Sequence, residues 1–192
     1  THKVAMLITK DDVYDLSFYA RGNATLSIRL MDENSVSMSE SIVHVVNNDG
    51  WHYVEGLSLK ATHSGLGQFE LIVEGEVDLD VISLMPTNVW GNTPDTPSPS
   101  ASKNYRINKN YRMRTDLVKA LWDLNPKFLR FPGGCISEGA FIWDNVFDWK
   151  QTMGPIETRK ENFNLWGYSM TMGLGYFEYF QLAEDLNAYP VP

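Results

Sequence analysis

The sequence predicts an α+β multidomain chain: an antiparallel β-sandwich of jelly-roll type, then the opening βα units of a parallel α/β domain. Three observations carry that reading. Residues 1 to about 87 alternate apolar and polar side chains at period two, with no helical period; residues 92–102 hold three prolines among small polar residues; beyond them, helical stripes alternate with short strand-like runs. The boundaries drawn from this are 1–90 for the sandwich, 91–104 for a Pro/Ser-rich linker and 105–192 for the second domain.

Within the first domain Tyr14, Leu16, Phe18 and Ala20 share one face, as do Leu26, Ile28 and Leu30, and then Phe69, Leu71 and Val73. Turn signals separate these runs: Arg21-Gly22-Asn23, Asp32-Glu33-Asn34, Asn47-Asn48-Asp49-Gly50 and His63-Ser64-Gly65. About six or seven strands at such spacing make a sandwich. The stretch from Asn92 to Ser102 is expected to form neither sheet interior nor helix. After it, Thr115 is placed to cap a helix with the stripe Leu117, Val118, Leu121 and Leu124, ended by Asn125-Pro126. Lys127 to Phe131 reads as a short buried strand. Tyr176 to Leu186 reads as an amphipathic helix with Phe177, Phe180, Ala183 and Leu186 inward, and the final residues begin another strand. A closed barrel of eight such units takes about 250 residues, so only its opening units fit here. The start at Thr1 and the close at Pro192 both read as cuts within a longer protein.

Composition narrows the function. With 43% hydrophobic residues the chain can bury a core, which excludes wholesale disorder. A net charge of −8 argues against a nucleic-acid binder, and no run reaches the ~20 apolar residues of a membrane helix. A single cysteine, Cys135, rules out an internal disulfide and a Cys-based zinc site. His2, His44, His52 and His63 show no ligand spacing, so no metal is expected, and nothing in the sequence calls for a cofactor. Acidic turns around Asp32 and Asp49 would permit a structural calcium without indicating one. Asn23-Ala24-Thr25 has glycosylation spacing, which carries weight only in a secretory host. Trp51, Tyr53 and Trp90 either stack on a polysaccharide or pack inside.

The segment richest in chemistry is Phe128-Leu129-Arg130-Phe131-Pro132-Gly133-Gly134-Cys135. An arginine inside an apolar strand is costly to bury unless an anion pairs with it. Pro-Gly-Gly then stops the strand and lets backbone approach a neighbour closely. Parallel α/β folds place their sites at the C-terminal strand ends. These rules put Arg130, Gly133, Gly134 and Cys135 on the floor of a cleft, the alternative being a structural ion pair beneath a tight turn.

That octet, with FDWKQTMGPIETR, NLW and GLGYFEYFQLAEDL downstream and RTDLVKALWDLNPKF upstream, resembles glycoside hydrolase family 51, the retaining α-L-arabinofuranosidases. The similarity is strong over residues 105–192 and looser over the sandwich, where YDLSFYARG matches. The resemblance implies a carbohydrate-binding-module-like sandwich followed by the first part of a TIM (β/α)8 barrel. It implies that Arg130 supports the nucleophilic carboxylate, that Gly134 and Cys135 lie at the sugar, and that Trp166 packs against the bound arabinose. Trp149 matches a more structural tryptophan. The plain alternatives are a core tryptophan for Trp166 and a small buried hydrophobe for Cys135.

A retaining glycosidase needs two carboxylates about 5–5.5 Å apart. The resemblance places both catalytic glutamates beyond residue 192, so this stretch would carry pocket residues without the catalytic pair. Glu138, Asp144 and Asp148 read as solvated loop charges, and Glu178 and Glu184 as residues facing solvent or a neighbouring helix. The implied activity is release of terminal α-L-arabinofuranosyl groups from arabinan or arabinoxylan, outside the cytoplasm or in a periplasm. A non-catalytic carbohydrate-binding protein, or a barrel glycosidase of other specificity, stands as the alternative. An open partial barrel leaves strand edges and apolar helix faces uncovered, so self-association or a companion chain is expected.

Overall fold

A computed structural model describes residues 5–192; the readings of His2 and of the opening at Thr1 lie outside the described residues. The chain divides into two compact units, one ending at Asn88 and the other spanning Val89–Pro192.

Among the described residues the first unit is an antiparallel sheet of four strands: β1 (Met6–Ile8), β2 (Val13–Asp32), β3 (Ile42–Lys60) and β4 (Gly65–Pro86), in the order β1-β4-β2-β3. The period-two reading holds along β2. Tyr14, Leu16, Phe18, Ala20, Ala24, Leu26, Ile28 and Leu30 are all buried, while the residues between them are not, as a strand with one covered face requires. Val46, Val54 and Leu59 of β3 complete the core, with Phe69 and Leu71 of β4 packed against it. Val73 stands 40% exposed, so the third predicted run keeps only two of its three members inside.

Strands are fewer and longer than expected, because two of the four turn signals lie inside strands. Gly22 and Asn47–Gly50 sit within β2 and β3, where the pairing register shifts between Ala20 and Gly22. Gly22 (φ +127°) and Gly75 (φ +117°) face each other's strands, and a Cβ on either would overlap a carbonyl oxygen opposite. Glycine there marks a close backbone approach in a continuous strand, not a chain reversal. The other two signals are true reversals: Asp32 Oδ1 accepts from the Asn34 and Val36 N–H groups, and β4 begins at Gly65.

In the second unit the stretch 91–104 is no detached linker. Gly91, Ser98, Ala101 and Asn104 are buried, and α1 (Ala101–Ile107) starts inside it. The three prolines confine the turns ahead of α1, and Gly91, at φ +87°, fits where a Cβ would overlap the Ala101 carbonyl. Next comes α2 (Thr115–Leu124), whose N-cap is Arg114 without a side-chain cap; Thr115 is its first residue, and its hydroxyl is buried with no partner. Of the expected stripe only Val118 is buried, with Leu117, Leu121 and Leu124 exposed. Asn125, left-handed at φ 48°, ends the helix as read.

Strand β5 (Phe128–Arg130) pairs in parallel with β8 (Tyr189–Val191), and between them come α3 (Gly134–Ser137), the short hairpin β6 (Asn162–Asn164) and β7 (Tyr168–Met170), and α4 (Tyr176–Asp185). A parallel pair joined through a helix is the β-α-β rhythm. The strand itself is not buried: Phe128 is 61% exposed and Arg130 is exposed, because β8 is the only described strand beside it.

Helix α4 turns a different face inward from the one its apolar spacing predicts. Leu182, Ala183 and Leu186 are buried, but so are Glu178, Gln181 and Asp185, while Phe177 and Phe180 are 42% and 37% exposed. Glu178 therefore faces the interior and not solvent, because a cation and amides wait there; Glu184 is exposed as expected.

Candidate functional site

The Pro-Gly-Gly corner sits where β5 ends. Phe131 is buried and anchors it: the ring stacks on Tyr179 at 4.8 Å and meets Tyr176 and Phe180 edge-on at 5.4 and 5.3 Å, all three on α4. The Phe131–Pro132 peptide is cis, and Gly133 and Gly134 take φ of +74° and +52°, conformations that glycine adopts without strain. Cys135 follows in the first turn of α3, exposed and unpaired, so it is not the buried hydrophobe of the plain alternative.

Arg130 does not fulfil the burial argument. It is exposed, and among the described residues it makes no ion pair or hydrogen bond; its guanidinium lies over Gly133, near the place a Cβ there would take. Leu129 packs on the core of the second unit, and Phe128 and Arg130 take the opposite, uncovered face of the three-residue strand, where nothing desolvates the guanidinium.

Trp166 stands near the tip of the β6–β7 hairpin. The reversal is closed by the Gly167 N–H donating to the Asn164 carbonyl at 2.9 Å and by the Trp166 N–H donating to Asn164 Oδ1 at 3.0 Å. Gly167 supplies the positive φ the turn needs, +85°. Trp166 is 66% exposed, so it is not a core tryptophan. It lines, together with Cys135, Ile136, Asn164 and Met170, a shallow hollow with room for little more than a water molecule, far short of a complete small-molecule pocket. The structure thus brings Cys135 and Trp166 to one hollow and sets Gly134 beside it, while Arg130 belongs to the adjoining corner and not to the lining.

The loop carboxylates behave as read: Glu138 and Asp144 are exposed, and Asp148 caps the turn at Lys150. Trp149 is 45% exposed with its ring 5.7 Å from Tyr176. Of the three aromatics singled out for stacking, Trp51 and Tyr53 are exposed but Trp90 is fully buried.

Sequence reasoning missed the polar interior behind this hollow. Arg159 and Glu178 form an ion pair in which both side chains are 1% exposed, with NH1 2.9 Å from Oε2 and NH2 2.9 Å from Oε1. Burial pushes the Glu178 carboxyl up, but hydrogen bonds from Arg159 and Asn108, the Arg159 charge and the Gly175 N–H outweigh it and hold the carboxyl below its usual range. Asn108 bridges Glu178 and Gln181, at 2.8 and 2.7 Å. Farther along α4, Asp185 accepts from Trp90 Nε1 (2.8 Å), the Tyr111 hydroxyl (2.5 Å), Asn104 (2.8 Å) and Ser100. The signal available was Glu178, Gln181 and Asp185 at helical spacing on one face, a stripe that reads as solvated until its partners are known.

Comparison with known proteins follows the same pattern of matches. Residues 120–192 match the family described as Alpha-L-arabinofuranosidase 1 domain. Alpha-L-arabinofuranosidase 1 of Arabidopsis thaliana is 34% identical over 97% of this chain, which covers 26% of that protein. The extracellular exo-alpha-L-arabinofuranosidase of Streptomyces chartreusis is 29% identical over 93% of the chain, which covers 21% of it. The chain therefore spans about a quarter of the length of these curated relatives. Among solved structures, the arabinose-bound MgGH51 α-L-arabinofuranosidase superposes with a TM-score of 0.78 at 23% identity, over 97% of this chain and 29% of that one, a likeness of fold.

Proposed function

We propose, from its similarity to α-L-arabinofuranosidases, that this chain belongs to glycoside hydrolase family 51 and forms part of a retaining glycoside hydrolase. The enzyme removes terminal α-L-arabinofuranosyl residues from arabinan- or arabinoxylan-type polysaccharides. In this reading the first unit is the jelly-roll, carbohydrate-binding-module-like sandwich, and β5, α4 and β8 are among the opening units of a (β/α)8 barrel. A secreted or periplasmic location fits a polymeric substrate, and one relative is named as extracellular.

The observation that carries the proposal is the meeting of Cys135 and Trp166 in one hollow at the C-terminal end of a parallel strand, where barrel enzymes hold their substrates. Trp166 offers its ring to the apolar face of the furanose, and Gly134 and Cys135 form the floor. Arg130, exposed beside that floor, is free to orient a nucleophilic carboxylate and hold it ionised. The catalytic pair would act by the double displacement of a retaining enzyme: one carboxylate attacks the anomeric carbon, and the other protonates the leaving oxygen and then activates water. Both glutamates lie beyond residue 192 in this assignment.

The test is hydrolysis of an aryl α-L-arabinofuranoside by the intact protein carrying this chain. Trp166→Ala is expected to raise KM about tenfold or more, the scale of one lost stacking contact. Arg130→Ala is expected to lower kcat, and unchanged turnover in Arg130→Ala would remove the role given to it.

A further inference from the structure

We propose that the buried Arg159–Glu178 pair is a positioning device: it closes the base of the β6–β7 hairpin and so sets where Trp166 stands relative to Cys135. For the sugar this rests on the reading above; the geometric part stands without it.

All five guanidinium N–H groups of Arg159 are used. Nε and NH2 donate to the Gly154 carbonyl (3.0 and 2.9 Å), NH1 to the Met172 carbonyl (2.7 Å), and NH1 and NH2 to the two oxygens of Glu178. The backbone leaves for the hairpin at Arg159 and returns at Met172, so one planar fork holds both ends of the excursion that carries Trp166. Glu178 is fixed in turn, with the Gly175 N–H on one oxygen and Asn108 on the other. Gly175 fits because a Cβ there would overlap the Thr152 carbonyl and crowd Arg159.

The opposite side of the hollow hangs from the same helix. Tyr176, Tyr179 and Phe180 of α4 grip Phe131 and hence the corner leading to Cys135, while Glu178 of α4 grips Arg159. A second anchor, Asn145, donates to the Phe163 and Gly139 carbonyls (2.8 and 3.2 Å) and accepts from the Phe163 N–H (2.8 Å), tying β6 to the loop that follows α3. Trp166 is two-thirds exposed and is tied through its backbone N–H to Asn164 of the hairpin, so its position is inherited from this frame. Apolar residues of equal volume could match a buried ion pair in stability. What they cannot supply is the bidentate, directional fork.

Arg159→Lys in the intact protein keeps the charge and loses the fork. Amide hydrogen exchange at residues 162–170, without sugar, is expected to quicken about tenfold, with β2 and β4 of the first unit unchanged. KM for the aryl arabinofuranoside is expected to rise about tenfold with kcat within about threefold, and Trp166→Ala added to Arg159→Lys should raise KM no further, since both act through one contact. If Arg159→Lys misfolds, the Arg159→Met/Glu178→Leu double variant replaces it, with the same expectations. Unchanged hairpin exchange overturns the proposal, and so does additivity of the two KM effects. If Trp166→Ala alone leaves KM unaltered, the sugar assignment fails and the exchange measurement still decides the positioning claim.

Discussion

Replacing Tyr111 by phenylalanine isolates one hydrogen bond in the polar interior. Tyr111 is fully buried and donates at 2.5 Å to Asp185, itself fully buried. Burial, then the Asp185 hydrogen bond and charge, push the phenol far above its ordinary 10.0, so it remains a donor at any working pH. Tyr111→Phe keeps the ring volume and opens almost no cavity. Asp185 retains its bonds from Trp90, Asn104 and Ser100 and is not stranded. What is lost is one hydrogen bond to a charged acceptor, about 1.5–3 kcal/mol. Asp185→Ala is harsher, because the Trp90 and Tyr111 donors then lose their partner, at roughly 1–3 kcal/mol each before any cavity cost. Urea unfolding followed by tryptophan fluorescence reads the second unit, since five of the six tryptophans lie there. The midpoint should fall with the slope unchanged. A cost below about 0.5 kcal/mol for Tyr111→Phe, or equal costs for both variants, would show that Asp185 is not the acceptor around which this interior is organised.

Three further outcomes are expected. Because the Glu178 carboxyl sits below its usual value of 4.5 in the folded chain, its pair contributes stability that is complete above that pH and lost as pH falls through the folded value; acid titration should therefore destabilise the second unit, and Glu178→Gln should flatten the dependence. Gly22→Ala, with φ +127° and a Cβ overlapping the Glu76 carbonyl, should cost roughly 1–3 kcal/mol, whereas Gly50→Ala, with open space around it, should stay within about 0.5 kcal/mol, both read as shifts in thermal midpoint. The 192-residue chain alone should self-associate through Leu117, Leu121, Leu124 and Phe128, and Leu117→Lys with Leu124→Lys should shift sedimentation toward monomer; a compact monomer before any substitution would contradict this.

Local pattern settled much of the first unit. A strand's alternation depends on residues two apart, so Leu16, Phe18, Leu26 and Ile28 announced their buried face without reference to anything distant. The octet marked a corner at Arg130 to Cys135, and the family resemblance added Trp166; in the structure Cys135 and Trp166 line one hollow, while Arg130 does not. Tertiary structure alone decided the face α4 buries, the exposure of Arg130 and the folding of residues 91–104 into the second unit. The α4 face and the placing of residues 91–104 turn on partners far along the chain, as when Asp185 meets Trp90 across 95 positions and Glu178 meets Arg159 across 19; the exposure of Arg130 turns on which layers cover its strand. Whether a polar side chain is buried is fixed by the donors, acceptors and covering layers that reach it, and no local periodicity encodes them.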